Sequence, residues 1–235
     1  MKSISFIFLI ILLSSFSSVA CELKVGFQEF PPYFYKDDSG KLQGIDVDLF
    51  RGLASEIQRD VYFMNVAFDE GLKLLKDGKI DAMSQLSMIW ERKLKINFVG
   101  PIRKEKISLI TTKEVNEEIT SLKEISQLPY IFSKGKNTYL GEEFNKLYRS
   151  EPLFSGKFVE VDSSQPLIDL VLKGRVTGVF EESNFNAFQV KYVKKYQNLK
   201  KHPLTLNTGE VYVGFSKKTI SKSQLKLLNQ YINKD

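Results

Sequence analysis

Asp69-Glu70-Gly71-Leu72-Lys73-Leu74-Leu75-Lys76-Asp77-Gly78-Lys79-Ile80-Asp81-Ala82-Met83-Ser84-Gln85 joins one helix to one strand, and its pattern sets the fold class. Acidic residues open the helix, where they meet the positive end of its dipole, and Leu72 and Leu75 recur on one face. Gly78 supplies the left-handed conformation that stops a helix, and Ile80 to Gln85 continues as a strand. The same alternation runs upstream. Leu23 to Phe27 is a short strand, Pro31-Pro32 turns the chain, and Lys36 to Gly40 is a polar turn without the alternating acids of a calcium loop. Asp46 is placed to cap a helix through Ile57, with Leu49, Phe50, Leu53, Ala54 and Ile57 at helical spacing, and Val61 to Phe68 supplies another strand. Strands alternating with helices form parallel sheets covered by those helices, so the fold class is α/β.

A second unit of similar build follows. Ser121-Leu122-Lys123-Glu124 is a capping box, Pro129 to Ser133 is strand-like, and Tyr139 to Tyr148 is helical. Pro166 to Lys173 is a further helix and Val176 to Phe180 a strand. Leu170 to Val179 repeats the helix, glycine and strand of Leu74 to Met83, which supports two lobes of related build. Ile107 to Thr112 carries the chain out of the first lobe, Thr208 to Phe215 brings it back, and Ser221 to Asn233 docks as a helix. Ligands of open parallel sheets bind beyond the carboxyl ends of strands, which points to Gln85 to Ser87 and to Glu181-Glu182.

The chain holds 235 residues, 43% apolar and 26% charged, and carries a formal charge of +6. That composition excludes disorder, and the interleaving of both signs does not suggest a nucleic-acid partner. One cysteine excludes an internal disulfide, and one cysteine with one histidine excludes the usual zinc sites. No cofactor or metal is called for. Residues 1–20 read as a secretory signal: Lys2, the apolar run Ile4 to Leu13, then Ser18-Val19-Ala20. Cleavage after Ala20 would expose Cys21. Ser18 stands where a lipoprotein signal has leucine, so a soluble exported form is expected and lipid attachment at Cys21 is the alternative.

Gly-x-Ser-x-Gly, Gly-rich phosphate loops, His-Glu-x-x-His and Gly-x-Gly-x-x-Gly are all absent. His202, within Lys200-Lys201-His202-Pro203, reads as a solvated surface histidine. Lys191-Tyr192-Val193-Lys194-Lys195-Tyr196 mixes basic and aromatic residues, but Tyr192, Val193 and Tyr196 share one helical face and read as a core stripe.

Ser87-Met88-Ile89-Trp90-Glu91-Arg92-Lys93 follows the strand that ends at Gln85. Taken with Leu23-Lys24-Val25-Gly26, Pro31-Pro32-Tyr33, Gly44-Ile45-Asp46-Val47-Asp48-Leu49 and Asp77-Gly78-Lys79-Ile80-Asp81-Ala82, it resembles the extracellular solute-binding proteins of family 3. These are the receptors of polar amino-acid ABC importers. The resemblance implies a two-lobed periplasmic-binding-protein type II fold with a two-strand hinge. Residues 21–110 would form the first part of lobe one, 111–206 lobe two, and 207–235 the return to lobe one with the C-terminal helix. The protein would be a periplasmic monomer without enzymatic activity that closes on a small zwitterionic ligand and delivers it to a membrane ABC permease.

By the same resemblance Arg92 grips the ligand carboxylate, a role suited to a guanidinium that donates two parallel hydrogen bonds. Ser87 and the backbone near Gln85 contact the ligand from lobe one, and Phe30 packs on its aliphatic part. Asn137, Thr138 and Tyr139 stand at a helix start in lobe two, where free amides favour a carboxylate. Glu182 falls where the family places an aspartate for the ligand ammonium. Gln28 falls where many relatives carry an acid, so a cationic side chain is not favoured. Trp90 receives no role. Two rivals share the scaffold: a sensory binding protein, and a dehydratase-like enzyme with Glu181 or Glu182 as proton donor.

Overall fold

The computed structural model describes residues 22–162 and 166–233. Residues 1–20 and Cys21, with the export and lipidation readings that fall on them, lie outside the described residues.

In the first unit β1 (Leu23–Phe27) is flanked by parallel neighbours β4 (Val61–Asn65) and β5 (Ala82–Ser87). A small hairpin of β2 (Tyr35–Lys36) and β3 (Leu42–Gln43) precedes α1 (Ile45–Glu56), and α2 (Phe68–Asp77) links β4 to β5. Gly78 closes α2 at φ 76°, the left-handed turn that the sequence asks of it. The second unit is built from the parallel strands β7 (Phe132–Gly135), β8 (Phe158–Val161) and β9 (Gly178–Glu182). Around them run α4 (Leu122–Ile125), α5 (Glu142–Ser150), α6 (Pro152–Ser155), α7 (Ile168–Leu172) and α8 (Ser183–Tyr192). A four-residue helix α3 (Trp90–Lys93) follows β5, and α9 (Lys222–Ile232) ends the described chain.

Two long antiparallel strands, β6 (Ile96–Thr112) and β10 (Leu199–Ser216), pass through both units and fuse them into one eight-stranded sheet, β4-β1-β5-β10-β6-β9-β7-β8. Both strands exceed the sequence expectation, because their outer ends pair within opposite lobes while the polar middle reads as a break in the apolar pattern. Along β6, buried Ile96 and Val99 serve one lobe and buried Ile107 to Ile110 the other, and partly exposed Ile102 to Lys106 lies between. The pairing shifts register between Asn207 and Gly209, opposite Lys106 and Glu105, so the ladder is irregular at the crossing.

The apolar cores divide accordingly. One pair of clusters packs β1, α1, α2, β5 and α9, around Phe50, Leu53, Leu75 and Phe215. The other pair packs β7, β8, β9, α5 and α7, around Phe132, Phe144, Phe180 and Ile168.

Several local expectations change. Gly44, at φ 134°, caps α1, and Asp46 is a fully buried residue inside the first turn. Ser121 does not accept the amide it was expected to cap; Glu124 instead takes the Thr120 N–H and the hydroxyls of Thr120 and Ser121. The lysine-tyrosine stretch is no continuous helical stripe. α8 ends at Tyr192, which is 61% exposed, whereas Tyr196 is buried and donates its hydroxyl to Asp169 at 2.6 Å.

His202 is buried, not solvated: β10 turns it inward, Thr111 Oγ1 lies 2.7 Å from Nε2, and the Ile119 N–H donates to Nδ1 at 3.3 Å. An imidazole that accepts an amide at Nδ1 is neutral, with its proton on Nε2 towards Thr111. Burial is the largest influence and pushes its pKa down, helped by Lys200 and opposed by Glu117 and Glu118. Its stabilising contribution is therefore complete above the unfolded value of about 6.5 and lost as pH falls below it. Glu181 acts in the opposite sense, since its pKa is raised. We expect the melting temperature of the His202→Gln variant to fall less on acidification from pH 7.5 to 5.5 than that of the parent. Equal slopes would show that His202 is not the titrating group.

Candidate ligand-binding cleft

A cavity of roughly 130 Å³ lies between the units, at the carboxyl ends of β1, β5 and β7 and beside the crossing of β6 with β9. Phe27, Phe30, Phe68, Met83 and Phe185 give it an apolar wall, and the polar lining includes Gln85, Ser87, Arg92, Glu105, Thr138 and Glu181. The cavity is thus apolar with a few convergent charges, the usual make-up of a small-molecule site.

Arg92 enters from α3 and is 5% exposed. Its Nη1 donates to the Ser87 carbonyl at 3.1 Å, and its Nη2 crosses between lobes to the Asn137 carbonyl at 2.9 Å. Burial lowers its pKa to about 10, against the pull of Glu105, Glu91 and Asp69, so it remains a cation at neutral pH. The Phe68 ring lies 5.8 Å from the guanidinium carbon.

Gln85 lines the cavity in a left-handed conformation, φ 64°, uncommon for a residue with a Cβ. It is held there by Asp46, whose Oδ2 accepts from Gln85 Nε2 at 2.8 Å and from Ser84 Oγ at 2.6 Å. Arg103, on β6, donates to Asp46 Oδ1 at 2.8 Å and lies over the Tyr33 ring at 3.8 Å. The Tyr33 hydroxyl in turn accepts from Asn184 of the second unit at 2.9 Å. Phe30 stacks on Phe185 across the same gap, with ring centroids 4.4 Å apart and planes 7° from parallel.

Ser87, Gln85, Phe30, Gln28, Thr138, Tyr139 and Arg92 all border this cavity. Gln28 also accepts the Phe68 N–H at 3.2 Å. Asn137 borders the adjoining mouth and donates to Asp69 at 2.7 Å. No helix begins at Asn137 to Tyr139: α5 starts at Glu142, so the helix-start reading of these three fails and they form the turn after β7. Trp90 is 70% exposed.

Glu182 is not among the cavity-lining residues. Its Oε2 accepts the Phe185 N–H at 2.8 Å and caps α8. The side chain in the cavity is Glu181, one residue earlier, which alternation along β9 turns to the opposite face. Burial pushes Glu181 up to about 8, eased by the Glu182 N–H and reinforced by Glu105 and Glu182. Glu105 is the residue that sequence reasoning missed. It lies in the polar middle of β6, and only the crossing of the strands shows that this middle faces the site.

Comparison with known proteins follows the same geometry. The family model described as bacterial extracellular solute-binding proteins, family 3, matches residues 23–234. The ABC transporter arginine-binding protein 1 of Escherichia coli (strain K12) is 27% identical over 158 residues, 66% of this chain and 60% of that protein. The histidine-binding periplasmic protein of Salmonella typhimurium is 28% identical over 114 residues, 47% of this chain and 44% of that protein. The matched part is thus less than two thirds of either relative. Among solved structures, an ancestral arginine-binding protein bound to glutamine superposes with a TM-score of 0.76 at 22% identity, covering 90% of both chains. Holo ArgBP from T. maritima gives 0.76 at 20% identity, covering 90% of this chain and 88% of that one. These likenesses show the two-lobed fold.

Proposed function

The chain belongs to the bacterial extracellular solute-binding proteins, family 3, and from that premise we propose that it captures an amino acid between its lobes and hands it to a membrane ABC permease. The observation that carries this reading is the buried Arg92 guanidinium at the interlobe cavity, facing acidic groups across the gap. The α-carboxylate would take the fork of Arg92, and the ammonium the Glu181 side. Ser87, Gln85, Phe30, Thr138 and Tyr139 would complete the seat, with Asn137 and Gln28 supporting it. Both charges are engaged only when the lobes are together, so binding shifts the population towards the closed form. The division of lobes at residues 110 and 206, export to the periplasm through residues 1–20, monomeric action and capture without turnover belong to the same proposal.

Arginine and histidine, named for the relatives, are the first compounds to test. A ligand at about 100 times its dissociation constant stabilises the fold by roughly 2.7 kcal/mol, which for a chain of this size raises the melting temperature by about 5–10 °C. No shift with any of the twenty amino acids would overturn the reading. One feature bears on the enzymatic rival: burial raises the Glu181 carboxyl to about 8, so this acid at the cavity holds a proton more readily than a free carboxylate does. Turnover of a prephenate-like acid by the purified protein would support that rival.

A further inference from the structure

We infer that Asn184 and Phe188, on the first two turns of α8, are positioning residues for ligand capture: with Phe185 they latch lobe two onto an aromatic edge of lobe one and draw the lobes together before a ligand arrives. Neither Asn184 nor Phe188 is among the cavity-lining residues. Their role goes beyond amino-acid capture, because it sets how readily the lobes close and not which ligand they hold.

Three contacts cross between the lobes at this edge. Asn184 Nδ2 donates to the Tyr33 hydroxyl at 2.9 Å. The Phe185 ring stacks on Phe30 with centroids 4.4 Å apart, and the Phe188 ring meets that of Tyr35 at 5.7 Å. Helical spacing explains why one short segment supplies all three: Phe188 follows Asn184 by four residues and Phe185 by three, so they share one face. Glu182 fixes the start of that helix by accepting the Phe185 N–H at 2.8 Å, and its carboxylate thereby orients the latch.

Lobe one holds the opposing edge in place by itself. The turn through Pro31-Pro32 is closed by the Phe30 N–H, which donates to the Phe34 carbonyl at 2.7 Å, and is pinned to α1 by the Asp46 N–H on the Tyr33 carbonyl at 3.2 Å. Arg103 covers the Tyr33 ring at 3.8 Å while bonded to Asp46, so the hydroxyl that Asn184 reaches is fixed without help from lobe two. Such preorganisation lowers the ordering cost of joining two surfaces. Parting the lobes would return the Phe30, Phe185 and Phe188 rings to water, so apolar burial and one hydrogen bond both favour closing over an empty cavity. A ligand then supplies less of the closing energy, and its apparent dissociation constant falls as the fraction already closed rises.

Asn184→Ala, Phe188→Ala and the double variant test this role, with small-angle scattering of the ligand-free protein as the direct readout and L-arginine and L-histidine as ligands. Asn184 is exposed, so its replacement leaves both cores intact. Without ligand, each variant is expected to show a larger radius of gyration than the parent, and the double variant the largest. Phe188→Tyr, which keeps the ring, should match the parent. In calorimetric titration each single variant should bind these amino acids about three- to tenfold more weakly, the loss of one hydrogen bond or one ring pair. The ratio of the two affinities should stay at the parent's value, since neither side chain borders the cavity; a changed ratio would count against the latch and place these residues in the ligand seat. Superimposable ligand-free scattering curves for parent and double variant overturn the latch and leave amino-acid capture standing. An expanded double variant of a protein that binds no amino acid upholds the latch and overturns capture.

Discussion

Arg92→Ala is expected to weaken amino-acid binding by roughly 30- to several thousand-fold, the ~2–5 kcal/mol cost of removing one partner of a desolvated charge pair. Three features place it at the high end. The guanidinium is 5% exposed, so little water competes for the ligand carboxylate. Its bonds to the carbonyls of Ser87 and Asn137 fix the plane of the fork and tie it to both lobes. Its burial already costs enough to lower its pKa to about 10, so a ligand carboxylate recovers electrostatic energy that the protein itself supplies only partly. Arg92→Lys should lie between parent and alanine, because it keeps the charge and loses the planar pair of donors. Calorimetric titration checks this, with the unfolding midpoint of each variant showing that the fold is kept. Affinity within threefold of the parent in Arg92→Ala would mean that the carboxylate sits elsewhere.

Asp46→Ala is expected to cost about 3–5 kcal/mol of folding stability, the price of leaving a buried partner uncompensated. For a domain of this size that lowers the melting temperature by roughly 6–20 °C. Asp46 is fully buried, and Arg103, Ser84 and Gln85 all donate to it. Without the carboxylate, Arg103 is a largely buried cation and the Gln85 side chain loses the anchor that holds its backbone in the left-handed region. Ligand affinity should therefore fall with stability, since Gln85 lines the cavity. Asp46→Asn, which keeps the shape and one acceptor, should lose less. A loss below about 1 kcal/mol for Asp46→Ala, in chemical denaturation, would show that the pair contributes no more than an exposed one.

The alternation of strands and helices was legible because apolar residues recur with the period of each element, and Gly78 and Ser221 marked ends by their own chemistry. Boundaries moved where tertiary contacts overrode local preference. Asp46 has the composition of a helix cap, yet a cation 57 residues away in neither its helix nor its turn claims its carboxylate, and Gly44 takes the cap. His202 sits among lysines in the sequence, but alternation along β10 turns it under the sheet while its neighbours face out. Glu181 and Glu182 are one residue apart and opposite in role for the same reason.

The sequence by itself determined the α/β class, the two-lobed fold and the family, because periodicity and short motifs are local properties of the chain. Through the family resemblance it also pointed to Arg92, which α3 brings to the lining of the cavity just after β5. Which acids face that arginine was decided only in three dimensions. Glu105 and Glu181 are far apart along the chain and meet because β6 and β9 pair, and no local pattern records which side of a long crossing strand opens onto the cavity between the lobes.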